Sequence, residues 1–219
     1  MKLPWRSRAE PTPIEEVPIE PPGPKIEIYS SPGLDGAVSA VPDDGNCKVL
    51  DLGPSVAANL EFLASFASYL QIVDAVDRGP AAANLGGPES VRLSTLNTLL
   101  DQHRRSFNLV LAWDVFNYLS PEQAERLNQS VAELCLPSAR LHAIFFATDT
   151  MPAVPHRYRI VDRGHLAYEP ATTELRGAPS LPAAAVGKLL KGFRIEHSFV
   201  LQHGVHEYVA TRKRWYVKK

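Results

Sequence analysis

From Cys47 onward the chain alternates short apolar runs with stripes of helical spacing, and this alternation constrains the fold more than any other feature. Residues 48–52 (Lys-Val-Leu-Asp-Leu) form an apolar run that stops at Gly53-Pro54, as a buried strand stops at a turn. Residues 55–68 follow as a helix with Leu60, Leu63, Ala64 and Ala67 on one stripe, and residues 69–73 read as a second buried strand. Residues 91–103 place Leu93, Leu96, Leu99 and Leu100 on a helical face, and residues 107–112 are a third apolar run. Ser120-Pro121-Glu122-Gln123 then marks a helix start, with a Ser cap, Pro at the first position and Gln at the capping-box position. That helix is expected to reach about Leu136, just before Pro137, and residues 141–146 form the next strand. Repeated strand–helix–strand units pair in parallel with right-handed crossovers, so a doubly wound α/β sheet is predicted. The chain ends differently. A helix over residues 180–190 precedes strands over 193–201 and 205–212, joined by Gln202-His203-Gly204. Such a short link permits only an antiparallel pair at the sheet edge.

The first 45 residues have another character. They hold nine of the chain's 19 prolines, each of which removes a backbone donor and fixes φ. Residues 1–45 therefore read as an extended, proline-rich arm of low helical content, able to dock a protein partner, and residues 46–219 as the α/β domain. Within the arm, residues 25–29 alternate polar and apolar, so this stretch could pair as a strand or tuck Ile26 and Ile28 against the domain. No run approaches the ~20 apolar residues of a membrane-spanning helix. The first 20 residues carry acids and prolines rather than a secretory apolar core. Cys47 and Cys135 read as two reduced thiols of a cytoplasmic protein. With 23 Lys and Arg against 24 Asp and Glu, charge gives no reason to expect nucleic acid. The basic tail from Arg212 to the C-terminus reads as a solvated end or an edge-strand extension.

In an open α/β sheet the ligand sits beyond the carboxyl ends of the strands, where strand order reverses. The first domain strand ends in Asp51-Leu52-Gly53-Pro54-Ser55-Val56-Ala57, a tight turn entering a helix; 23 residues after Asp51, the second ends near Asp74. An acid there can accept both hydroxyls of a ribose. The third run continues into Trp113-Asp114-Val115-Phe116-Asn117-Tyr118. Together with the antiparallel ending, these residues resemble the class I S-adenosylmethionine-dependent methyltransferases over nearly the whole chain outside the arm.

The resemblance implies a Rossmann-like fold and a cofactor, S-adenosylmethionine. It implies that Asp51, Gly53, Ser55 and Ala57 organise the loop at the methionine end. Asp74 would hold the ribose, and Trp113 and Asp114 would border the reacting centre. It further implies methyl transfer to a small molecule or protein side chain. Two departures stand out. The family's alternate glycines are Gly53, Ser55 and Ala57 here, so Ser55 adds a side chain where the loop should approach the cofactor and Pro54 removes an N–H. No strand is evident between Asp74 and Phe107, where Gly79-Pro80 and Gly86-Gly87-Pro88 break the chain. These departures keep a second reading open: a catalytically inactive methyltransferase-like binding or scaffold domain.

Residues 148–179 form an insertion rich in Pro, Tyr, Arg and His, with a hairpin turn at Asp162-Arg163-Gly164. A lid over the cleft is expected from it, contributed by His156, Arg157, Tyr158 and Tyr168. With Tyr118, His156 and Tyr158 form the expected acceptor-binding set. No general base is evident, and the seven histidines include no pair at metal-ligand spacing on one helix, so no metal is expected.

Overall fold

A computed structural model describes residues 27–42, 44–76, 93–169, 172–179 and 181–214. The elements are β1 (Glu27–Ser30), α1 (Pro32–Ser39), β2 (Cys47–Asp51), α2 (Ala57–Ala64), β3 (Ala67–Ile72), α3 (Leu93–His103), β4 (Phe107–Trp113), α4 (Pro121–Leu134), β5 (Cys135–Phe146), β6 (Thr150–Pro152), β7 (Arg157–Asp162), β8 (His165–Glu169), β9 (Leu175–Gly177), α5 (Ala183–Leu189), β10 (Phe193–Val200) and β11 (Val205–Arg212). The main sheet has six strands in the order β10-β11-β5-β4-β2-β3. β2 pairs in parallel with β3 and β4, and β4 in parallel with β5. β11 is antiparallel to both β5 and β10, giving the predicted antiparallel edge. The fold is the expected doubly wound, Rossmann-like, mostly parallel sheet.

Both faces of the sheet are covered, so its central strands alternate between two cores. Leu50, Val110, Ala112, Leu141, Ala143 and Phe145 point to the face covered by α3, α4 and α5. Val49, Leu109, Leu111, Trp113, Ile144 and Val209 point to the face of α1 and α2. The helix at Ser120 forms as written in its sequence. Ser120 Oγ accepts from the Gln123 N–H, and the Gln123 side chain accepts from the Ser120 N–H at 2.9 Å.

Four expectations change. The segment before Asn46 is not all extended: its strand alternative holds, with β1 paired to β8, but residues 32–39 form helix α1, with Ser31 as N-cap and Pro32 in its first turn. The earlier prolines lie outside the described residues, and Pro32 sits where a helix tolerates proline. Leu34, Ala37 and Val38 of α1 are buried in the sheet core, so this stretch belongs to the domain rather than to a free arm. Ile28 is largely exposed rather than tucked inward. The α2 stripe is also rotated: Asn59 and Leu63 face inward, while Leu60 is exposed. Finally, Arg212 is no solvated tail cation. It is buried, donating from Nε to Ala132 O and from Nη1 to Gly192 O, both at 2.7 Å. Residues 1–26, 77–92 and 215–219, with the arm's partner, Asp77 and the rest of the basic tail, lie outside the described residues.

The insertion builds two small sheets. β7 and β8 form the expected hairpin, and β1 adds to β8 to make the order β1-β8-β7. β6 pairs with β9.

Candidate functional site

The reversal of strand order falls between β2 and β4, so the ligand crevice of this fold should open above Asp51 and Trp113. The local geometry is set by side-chain hydrogen bonds. Asp51 Oδ1 accepts from the Gly53 N–H at 2.8 Å, folding the turn, and from the Trp113 indole N–H at 2.6 Å. Trp113 ends β4 at a register irregularity with φ +49°, which swings its ring back over the turn. A Cβ added to Gly53 would lie 2.6 Å from Trp113 Cδ1. The face that glycine would leave free for a ligand is thus occupied by the indole.

The hairpin completes the closure. Tyr158 stacks on Trp113 with ring centroids 5.4 Å apart and planes 6° from parallel. Asn59, in the first turn of α2, donates from its amide to Tyr158 O at 2.9 Å and accepts from the Ile160 N–H at 2.7 Å. One side chain therefore pairs with β7 as a neighbouring strand would, and pins it across the crevice. Asp114 follows Trp113 and is fully buried. Its Oδ2 accepts from the His156 N–H at 3.0 Å and from the Tyr158 hydroxyl at 3.3 Å. Burial, and then the Asp114 carboxylate, push the Tyr158 hydroxyl well above its usual pKa, so it stays protonated as a donor.

Of the expected cofactor residues, Asp51, Gly53, Trp113 and Asp114 are brought together and buried, and among the described residues they contact one another and the insertion. Ser55 and Ala57 lie exposed on the loop beyond, and Asp74 is half-buried. As arranged, these residues do not fit the methionine end of S-adenosylmethionine, because Trp113 fills the approach to Gly53. Of the expected acceptor residues, His156 and Tyr158 sit side by side. Tyr118 is elsewhere in role: it is buried, and its hydroxyl lies 3.2 and 3.1 Å from the carbonyls of Pro152 and Val154, tying down the start of the insertion.

An open cavity of about 910 Å³ lies beside the closed crevice. Its walls come from Glu27 and Tyr29 of β1, Phe146 at the end of β5, and His156, Tyr158 and Tyr168 of the hairpin region. Tyr29 and Tyr168 are 5.7 Å apart by ring centroid, and His156 and Tyr168 4.8 Å. Sequence reasoning missed Glu27, Tyr29, Asn59 and a buried anchor at Glu207. The signal for Asn59 was its place four residues before Leu63, on the same helix face. For Glu207 it was a carboxylate at an inward position of a strand, in phase with Val205 and Val209.

Glu207 secures β1 and α1, and thereby one wall of the cavity. Its carboxylate accepts from the Ser31 hydroxyl and, at 2.8 Å, from the Gly33 N–H in the first turn of α1. His142 Nε2 lies 3.3 Å away, and neither side chain is exposed. Burial pushes the Glu207 carboxyl up, but His142, Ser31 and Gly33 outweigh it and hold the group below the usual carboxylate range. A Cβ on Gly33 would fall 2.7 Å from Glu207 Oε2, so this contact needs glycine.

The architecture is that of solved S-adenosylmethionine-dependent methyltransferases. Such an enzyme from Mesorhizobium loti is 17% identical and superposes with a TM-score of 0.50, over 81% of this chain and 96% of that one. The 1,6-didemethyltoxoflavin-N1-methyltransferase of Burkholderia thailandensis is 16% identical, with a TM-score of 0.49 over 84% of this chain and 79% of that one. An S-adenosylmethionine-dependent methyltransferase of Methanosarcina mazei is 15% identical, with a TM-score of 0.47 over 78% and 95%. The Mesorhizobium loti match, at its low identity, shows a likeness of fold alone. No protein-family model matches the chain, and no curated protein does.

Proposed function

We propose that this chain is a ligand-binding protein on a methyltransferase fold, with its switch-point crevice closed by its own side chains and its ligand held in the adjoining cavity. The observation that carries this reading is the Trp113 indole lying on Gly53, hydrogen-bonded to Asp51 and capped by Tyr158. Opening that crevice would separate a parallel aromatic stack and strip a buried carboxylate of a donor, each costing about 1 kcal/mol or more. Calorimetric titration with S-adenosylhomocysteine tests it. No saturable binding is expected up to millimolar concentration, and binding at micromolar levels overturns it.

A second reading is S-adenosylmethionine-dependent methyl transfer to a small molecule or protein side chain. Two observations favour it. Ser55 and Ala57 of the methionine-end loop remain exposed and Asp74, the expected ribose acid, is half-buried, so both stay within reach of a cofactor. Trp113 is also a bulky residue held at φ +49°, a conformation that costs about 1–2 kcal/mol and clusters at sites that move. In this reading Trp113 swings off Gly53; Asp51, Gly53, Ser55, Ala57 and Asp74 hold the donor, and His156 and Tyr158 face the acceptor. The same titration decides between the two.

A further inference from the structure

The open cavity has a chemistry of its own, distinct from that of the closed crevice. Its floor is aromatic: Tyr29, Tyr158, Tyr168, His156 and Phe146 all line it. Among its described lining residues Glu27 is the sole carboxylate, and none is Lys or Arg. Glu27 Oε2 accepts from the Tyr168 hydroxyl at 3.0 Å, so this exposed acid is tethered to the aromatic wall at the mouth of the cavity. Two further carboxylates stand behind that wall. Asp114 contacts His156 and Tyr158, and both Asp114 and Glu207 act electrostatically on Tyr29. Asp114 Oδ1 is buried and accepts no hydrogen bond from the described residues. The rim is apolar: Ile28, Leu175 and Val200 are 59%, 66% and 76% exposed, and all three border the opening.

Aromatic faces attract cations through their quadrupoles, most strongly where water is excluded. Carboxylates behind such faces add to the negative potential. An anion would meet the Glu27 carboxylate with no Lys or Arg among the described lining residues to offset it, and the one imidazole there, His156, already has its Nδ1 3.4 Å from Asp114 Oδ2. A neutral apolar molecule would use the rim but leave the acid and the ring faces unmatched. Resting on the reading that ligand binding occurs in this cavity, we infer that it selects an amphiphilic organic cation, an alkylammonium whose charged head lies among Tyr29, Tyr168 and His156 beside Glu27. Its apolar tail covers Ile28, Leu175 and Val200.

The test is calorimetric titration of the full chain with octyltrimethylammonium, 1-octanol and octyl sulfate, which share a tail and differ in head charge. The cation should bind at least about tenfold more tightly than either other probe, the size of one desolvated cation–π contact. Tyr168→Leu and Glu27→Gln, both at half-exposed or exposed positions, should each weaken the cation by about three- to tenfold and leave octanol unchanged. Octanol or octyl sulfate binding as tightly as the cation overturns the inference, as does a cation affinity indifferent to both substitutions. Either outcome leaves the closed crevice standing. Micromolar S-adenosylhomocysteine binding would overturn the closed crevice and leave the cation selectivity standing.

Discussion

Two regions share the carboxyl edge of the sheet and have opposite fates. Above β2 and β4, where this fold offers its ligand crevice, Trp113, Tyr158 and Asn59 draw the protein onto itself. A short distance away, β1, β5 and the hairpin keep an aromatic cavity open. Tyr158 belongs to both, stacked on Trp113 and lining the cavity. The comparison teaches that strand order specifies where a crevice can form. What fills it depends on the few side chains at the strand ends.

The most direct way to break the contrast is to empty the crevice. Trp113→Ala removes a fully packed indole and one of the donors to Asp51, and should cost about 3–5 kcal/mol in denaturant unfolding. If the variant still folds, S-adenosylhomocysteine should bind it better than the parent chain. A loss below about 1 kcal/mol would mean that the indole does not plug the turn.

The cavity wall can be loosened next. Glu207→Gln leaves the Ser31 hydroxyl and the Gly33 N–H with a weaker acceptor and should cost about 1–3 kcal/mol at neutral pH. The Glu207 carboxyl is held below its ordinary range, so its contribution is complete above the unfolded-state carboxylate pKa. That contribution disappears as pH falls through the lower folded-state value. Acid titrations of stability should therefore be shallower in Glu207→Gln than in the parent, and parallel acid limbs would remove Glu207 from the wall.

Tyr118→Phe is a gentler probe. It deletes the hydroxyl that reaches the carbonyls of Pro152 and Val154, and about 0.5–1.5 kcal/mol should be lost. Faster hydrogen exchange confined to the start of the insertion is its signature; uniform acceleration would point to a general packing defect.

The smallest signal comes from the thiols. Burial, with Asp44, pushes Cys47 up to about 11. Burial pushes Cys135 up to about 12, against the opposing pull of Arg212. Neither should react with a thiol reagent at pH 8 in the native state, so labelling will report unfolding of the sheet in all the variants above. Rapid labelling of the folded parent would show that the sheet core opens locally.

Much of the architecture was legible along the chain because its causes are local. Apolar runs two or three turns apart, the Ser120 cap with Pro121, and the short Gln202–Gly204 link each constrain their own neighbourhood. The Asp162-Arg163-Gly164 turn behaves likewise, with Asp162 Oδ1 accepting from the Gly164 N–H at 2.8 Å. The helix at residues 32–39 was hidden by the prolines around it, although Ser31-Pro32 is itself a helix-start signal.

By itself, then, the amino-acid order determined the alternation of strands and helices, the parallel pairing that follows from it, and the small-residue turn after Asp51. Tertiary structure alone decided that Trp113 would lie on Gly53, that Asn59 would bind β7 across 99 residues of chain, and that Glu207 would hold the α1 terminus across 174. The physical reason is range. Periodicity and caps act within a few residues, whereas closing one crevice and opening another depends on which distant side chains meet once the sheet has brought the strand ends together.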